Sequence, residues 1–199
     1  MTKVLAHLFT DFHAHLFKDF SKPDEQYHTD RFHAQLATLH RLLKVSEEEG
    51  VPLIFGGDLF HRRTYVDSRV FNPVFEAFAS FPEVPVYLVR GNHDSVTNSL
   101  RTVSSLDVFS SLPNVTVITE PTTLTIATKG VNMRLYGLPY GEETAEMKQW
   151  LSTQAEALMK ANEHQKNLSL LVAHIGVEGA TTGRNSHTLE GAFTVGDLY

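Results

Sequence analysis

Between residues 29 and 50 the apolar side chains Phe32, Leu36, Leu39 and Leu43 recur at steps of three and four among polar neighbours, which predicts an amphipathic helix closed by Gly50. A second run of the same period, Val70, Phe71, Val74, Phe75, Phe78 and Phe81, predicts a helix over residues 67–81, with Pro73 acceptable only near its first turn. Short apolar stretches at residues 3–9, 52–55 and 84–89 read as buried strands, the latter two ending at Gly56-Gly57 and Arg90-Gly91. Strands alternating with helices of this length imply parallel strands joined by right-handed crossovers. Beyond Asn98 the pattern changes. Val115–Ile118, Thr122–Thr128 and residues 131–137 are short, β-rich and separated by turn residues, as in antiparallel hairpins. Residues 144–164 predict a third helix, Leu168–Ala173 a further strand, and residues 176–196 a Gly-rich tail. With no internal repeat or linker, residues 1–199 read as one α/β domain.

Composition narrows the chemistry. An apolar fraction of 42% and a charged fraction of 20% suit a folded domain, and no apolar run approaches the roughly 20 residues that span a bilayer. The absence of cysteine removes disulfides, thiolate metal sites and a Cys nucleophile, and with no targeting signal in view a cytoplasmic location is expected. The 23 acidic against 17 basic residues give a net charge of −6, which argues against a broad basic face for nucleic acid. The 11 histidines then become the informative feature.

Four polar clusters follow four predicted strands: Asp11-Phe12-His13, Gly57-Asp58-Leu59-Phe60-His61, Gly91-Asn92-His93-Asp94, and His174. The C-terminal ends of parallel strands share an edge, where ligands bind, so these clusters are expected to meet. Carboxylates can bridge two cations, imidazoles favour borderline metals such as Mn, Fe or Zn, and an Asn carbonyl is a neutral ligand. Two adjacent ions suit phosphoester hydrolysis, since they activate water and stabilise both the attacking and the leaving oxygen.

These motifs resemble the calcineurin-like metallophosphoesterase superfamily. Gly57-Asp58-Leu59-Phe60-His61 and Arg90-Gly91-Asn92-His93-Asp94 most resemble its DNA-repair branch, the SbcD-like exonuclease subunits of bacteria and phage. The resemblance implies a metallophosphoesterase-type β-sandwich of mixed sheets flanked by helices, with the site at strand C-terminal ends. It implies two divalent ions, Mn2+ foremost with Fe, Zn or Mg as alternatives. Asp11 and His13 would hold one, Asp58 would bridge, and Asn92 and His174 would hold the other. His93 would act at the scissile phosphate with Asp94 orienting it, and His61 would be a further phosphate-side residue. The implied function is a phosphodiesterase, a DNA exo- or endonuclease of recombination or repair using a hydroxide activated by two metals. DNA would be the substrate, an ABC-type ATPase with coiled-coil arms a partner, homodimerisation an option, and membrane absent. The alternatives are a phosphatase or nucleotide phosphodiesterase of the same superfamily, and an inactive remnant or partner-docking module.

The family completes its site with a Gly-His-x-His motif beyond the equivalent of His174. None lies between His174 and Tyr199, where His187 stands alone, so a C-terminally truncated domain is expected. Of the remaining groups, His15 reads as supporting or surface, and His28, His33 and His40 as solvated on or before a polar helix face. Arg62, Arg63, Arg90 and Arg101 are candidates for phosphate contacts.

Overall fold

The structure is a computed structural model that describes residues 3–19, 21–162, 168–178 and 193–198. Leu53 and Phe55 point one way from the second strand and Ile54 the other, and all three are buried, so this strand is covered on both faces. It is the second of four parallel strands in the order β1 (His7–Phe9), β2 (Leu53–Phe55), β3 (Val86–Val89), β4 (Val115–Ile118). On one face Leu53, Phe55, Val86 and Leu88 pack against Leu39 and Leu43 of α1 (Asp30–Glu49) and Val74 and Phe78 of α2 (Ser68–Ala79). On the other, Ile54, Val89 and Ile118 meet Ile126, Met133 and Leu135 of a second sheet. That sheet has the order β5 (Thr122–Thr128), β6 (Val131–Leu138), β7 (Leu168–Ala173), antiparallel at β5/β6 and parallel at β6/β7. Its outer face carries α3 (Thr144–Asn162), through Met147 and Leu151 against Leu138 and Phe193. The layers are therefore helices, sheet, sheet, helix.

Local chemistry sets the helix limits. Thr29 caps α1, its hydroxyl accepting from the Phe32 N–H at 3.2 Å, and Gly50 ends it in the left-handed region at φ 56°. Asp67 caps α2 by accepting from the Arg69 N–H. Pro73 lies one turn further in than the pattern predicts, and the helix continues through it. Phe60, Phe71, Phe75 and Phe78 gather around Phe109, with ring centroids 5.3–6.2 Å apart, so the Phe-rich side of α2 is core.

Three expectations change. Val115–Ile118 is not part of an antiparallel hairpin but lies parallel to β3, reached through a 3₁₀ turn at Asp107–Ser111. The first strand covers His7–Phe9 rather than all of residues 3–9. The strand leading to His174 belongs to the second sheet, so the four clusters do not share one sheet edge. His164, His187 and most of the Gly-rich tail lie outside the described residues. Among those described, no helix is long and apolar enough to cross a membrane.

Asp67 combines a helix cap with an ion pair to Arg69 at 2.5 Å, and the Arg69 hydrogen bond holds its carboxyl down at about 2. Asp67→Ala should cost about 1 kcal/mol in urea unfolding, and Asp67→Asn, which keeps a capping oxygen, much less. Because the folded-state value is depressed, the charge contributes stability above the unfolded carboxyl range and loses it as pH falls towards 2. The difference between wild type and Asp67→Asn should therefore shrink over that interval; a constant difference would show that the charge contributes nothing.

Candidate metal centre

Past the ends of β1 and β2 the two chains stay paired. Asp11 N donates to Gly57 O at 3.0 Å, His13 N to Asp58 O at 2.9 Å and Ala14 N to Leu59 O at 2.8 Å. To keep that pairing while turning the side chains inward, Asp11, His13 and Asp58 adopt φ values of 53°, 47° and 61°. Non-glycine residues rarely occupy this region, and such strain persists where the surroundings over-determine it, often at functional sites. Gln35 of α1 braces the first loop. Its amide donates to the carbonyls of Phe12 at 2.9 Å and His13 at 3.1 Å, while its oxygen accepts from the His15 N–H at 3.2 Å. No sequence signal marks Gln35, because a polar residue on an amphipathic helix reads as solvated.

Asp58 is the middle of the cluster and is only 3% exposed. Its Oδ1 accepts from the His93 backbone N–H at 2.8 Å. Its Oδ2 lies 3.6 Å from His13 Nε2 and 3.6 Å from His174 Nε2, between two imidazoles that come from different sheets. Asp11 Oδ1 stands 3.9 Å from the same His13 nitrogen, and His174 Nε2 is 2.9 Å from Asn92 Oδ1. The structure thus brings Asp11, His13, Asp58, Asn92 and His174 together around one carboxylate. Two glycines permit the approach: a Cβ on Gly91 would fall on the Asp58 carboxylate, and one on Gly57 on the His174 ring.

The donor set fits cations. His174 Nδ1 must donate to the Gly56 carbonyl at 2.9 Å, so a neutral ring turns the lone pair of Nε2 towards the oxygen of Asn92. That contact is favourable with a cation beside the two atoms, or with the Asn92 amide turned so that its NH2 donates to Nε2. His13 is similarly under-used, with a buried Nδ1 that has no partner and carboxylate oxygens near Nε2 but beyond hydrogen-bond distance. Asp11, His13 and Asp58 each offer an atom within 4.8 Å of the others, as do His13, His61 and His93.

His93 and His61 stand beside this group, with ring centroids 4.8 Å and 5.5 Å from His13. The His93 ring donates from Nδ1 to the carbonyl oxygen of His61 at 2.6 Å, which fixes its tautomer and leaves Nε2 free to exchange a proton. This corrects the expectation for Asp94, which does not orient the His93 ring. Asp94 is fully buried, and its Oδ2 accepts from Asp58 N at 2.9 Å and Gly91 N at 3.0 Å, its Oδ1 from Phe60 N at 3.1 Å. Burial pushes its carboxyl up to about 6, and the nearby Asp58 charge adds to that, against the three N–H donors.

A cavity of about 590 Å³ opens next to His61, lined among others by His15, Phe17, Lys18, Arg62 and Tyr65. His15, Phe17 and His61 form a ring cluster with centroids 5.0–5.2 Å apart. Burial, with positive neighbours including Arg62, lowers the pKa of both His15 and His61 and keeps their rings neutral near neutral pH. Of the other arginines, Arg90 is fully buried and donates to the carbonyls of Leu100 and Tyr140, so it braces loops rather than meeting phosphate. Arg63 donates to Ser95 O and Asn98, and Arg101 pairs with Glu143 and Glu146.

Removing the Asp94 carboxylate leaves three buried N–H groups without acceptors. Asp94→Ala should therefore cost roughly 3–5 kcal/mol by chemical denaturation. A loss below about 1 kcal/mol would show that water replaces the carboxylate.

Comparison with known proteins gives the family and a similar fold. A model of the family described as calcineurin-like phosphoesterase matches residues 7–197. No curated protein compared with the sequence matches it significantly. Among solved structures, a dimetal phosphatase from Danio rerio is similar in fold, with a TM-score of 0.54 at 13% identity, over 96% of this chain and 76% of that one. From the family match across nearly its whole length, the chain belongs to the calcineurin-like phosphoesterases.

Proposed function

We propose that this chain is a metal-dependent phosphodiesterase acting on DNA, with two divalent ions held by Asp11, His13, Asp58, Asn92 and His174. The observation that carries the reading is the position of Asp58 Oδ2, 3.6 Å from an imidazole nitrogen on either side. Asp11, His13 and Asp58 would hold one ion and Asp58, Asn92 and His174 the other. Bound there, the pair would supply Lewis-acid polarisation of the phosphoryl group and a water of lowered pKa.

The remaining work falls to the chain's own residues. His93 is fixed at two points, its backbone N–H on Asp58 and its Nδ1–H on the His61 carbonyl, and only Nε2 remains for proton transfer. As the water oxygen bonds to phosphorus and the bond to the leaving oxygen breaks, Nε2–H of the imidazolium protonates that leaving oxygen. The proton given up by water passes to solvent, and the ring is re-protonated.

The cavity beside His61 supports DNA over a phosphoprotein. Phe17, Tyr65 and His15 offer planar faces on which a base can stack, and Lys18 and Arg62 offer charge for the flanking phosphate. Tyr65 is 83% exposed, so its ring face is open to a base.

The test is a substrate panel with Mn2+: single-stranded and end-bearing DNA, a cyclic nucleotide, a nucleoside monophosphate and a phosphoserine peptide. DNA should be cleaved fastest, and chelation should abolish the reaction. Asp58→Ala should abolish both activity and tight metal binding in calorimetry. His93→Ala should lower kcat about 10²–10⁴-fold while metal stoichiometry stays the same. Full activity in both variants would sink the mechanism, and preference for a monoester would move the assignment to a phosphatase. Separately, Phe17→Ala should raise KM for DNA and leave cleavage of a small aryl diester unchanged; equal effects on both would remove the stacking role.

A further inference from the structure

We propose a second cation site at the entrance to α1, built by Asp24, His28 and His33 and suited to Zn2+ or a similar borderline divalent ion. None of these residues belongs to the centre described above, and the sequence pattern reads both histidines as solvated. The structure instead turns Asp24 Oδ2, His28 Nδ1 and His33 Nε2 towards one point, all within 4.8 Å of one another.

The backbone holds the three donors in place. Pro23 and Thr29 form an antiparallel bridge, and Asp24 N donates to His28 O at 2.8 Å. Asp24 Oδ1 is occupied by the N–H groups of Gln26 at 2.8 Å and His28 at 2.9 Å, so Oδ2 alone faces the imidazoles. Oδ2 lies 2.7 Å from His33 Nε2 and 3.8 Å from His28 Nδ1, and the two rings are 5.6 Å apart and nearly perpendicular. His33 sits in the first turn of α1, its N–H donating to Thr29 O at 2.9 Å, and the reciprocal bonds between Lys22 and Asp30 tie the loop to the same turn.

Size and chemistry agree. A tetrahedral ion with bonds near ~2.0 Å holds its ligand atoms about 3.3 Å apart, a value bracketed by the two observed separations from Asp24. An ion would replace the proton shared by Asp24 and His33 and recruit the His28 lone pair with shifts below about 1 Å. Two imidazoles and one carboxylate prefer Zn2+, Co2+ or Ni2+ over Mg2+ or Ca2+. His28 is mostly covered, whereas the His33 side chain is 52% exposed, which gives the ion an entry and leaves a position for water.

The consequence lies in the cavity wall. Tyr27 O, inside the same loop, accepts from Arg69 Nη1 at 3.4 Å, and Arg69 and its partner Asp67 line the cavity beside the metal centre. An ion at Asp24, His28 and His33 would brace that wall against α1, a structural role independent of the hydrolytic reading.

The experiment is zinc stoichiometry on the metal-stripped chain at neutral pH, by equilibrium dialysis, for wild type, His28→Ala, His33→Ala and Asp24→Asn. Asn keeps the oxygen that accepts from Gln26 and His28 but lacks the carboxylate, so the loop is preserved. Each variant should bind one equivalent less than wild type, and its far-UV circular dichroism should be unchanged. Substituted Co2+ should lose one tetrahedral component of its visible spectrum in the same variants. Unchanged zinc stoichiometry in His28→Ala and His33→Ala would overturn the proposal and leave a carboxylate–imidazole hydrogen bond.

Discussion

A carboxylate without access to water must find donors within the fold, and Asp94 finds three: the backbone N–H groups of Asp58, Phe60 and Gly91. These belong to the turns that follow β2 and β3, so one buried side chain fixes how two strand ends approach each other. Asp94 returns support through its own carbonyl, which accepts from the Ser104 hydroxyl and the Ser105 N–H. The cost of burying the charge shows in its raised pKa, and the hydrogen bonds offset it. If the turns relaxed, Asp58 would lose its place between His13 and His174, and His93 would lose its anchor on Asp58 Oδ1.

The rest of the centre is held by similar means. Positive φ at Asp11, His13 and Asp58 is sustained by the continued pairing of the two loops and by Gln35 reaching across from α1. Among the described residues the second sheet contributes one site residue, His174, and fixes it through the Gly56 carbonyl of the first sheet. The apolar contact of Ile54, Val89 and Ile118 with Ile126, Met133 and Leu135 is thus also what brings the two halves of the donor set together. Packing between sheets and geometry at the centre are one constraint.

Beside this rigid group lies a surface of different character. The rings of His15, Phe17 and His61 and the exposed Tyr65 line an open cavity, and its far wall is tied through Arg69 to the loop that carries Asp24 and His28.

The alternation of apolar strands and amphipathic helices up to Val89, and the clusters at Asp11, Asp58, Asn92 and His174, could be read from the chain because strand ends and period are local properties. The place of Val115–Ile118 could not, since a four-residue β-rich segment carries no mark of which sheet accepts it; that is decided by the apolar face it must cover. The same holds for Asp94, whose neighbour in sequence is His93 but two of whose three partners in space are backbone N–H groups 34 and 36 residues away. Gln35, Arg90, His28 and His33 all look like solvated polar residues in one dimension. Only tertiary structure buries Arg90, aims Gln35 at a loop and gathers two imidazoles on one carboxylate. The residue types determined which chemistry was available; long-range packing decided which of them meet.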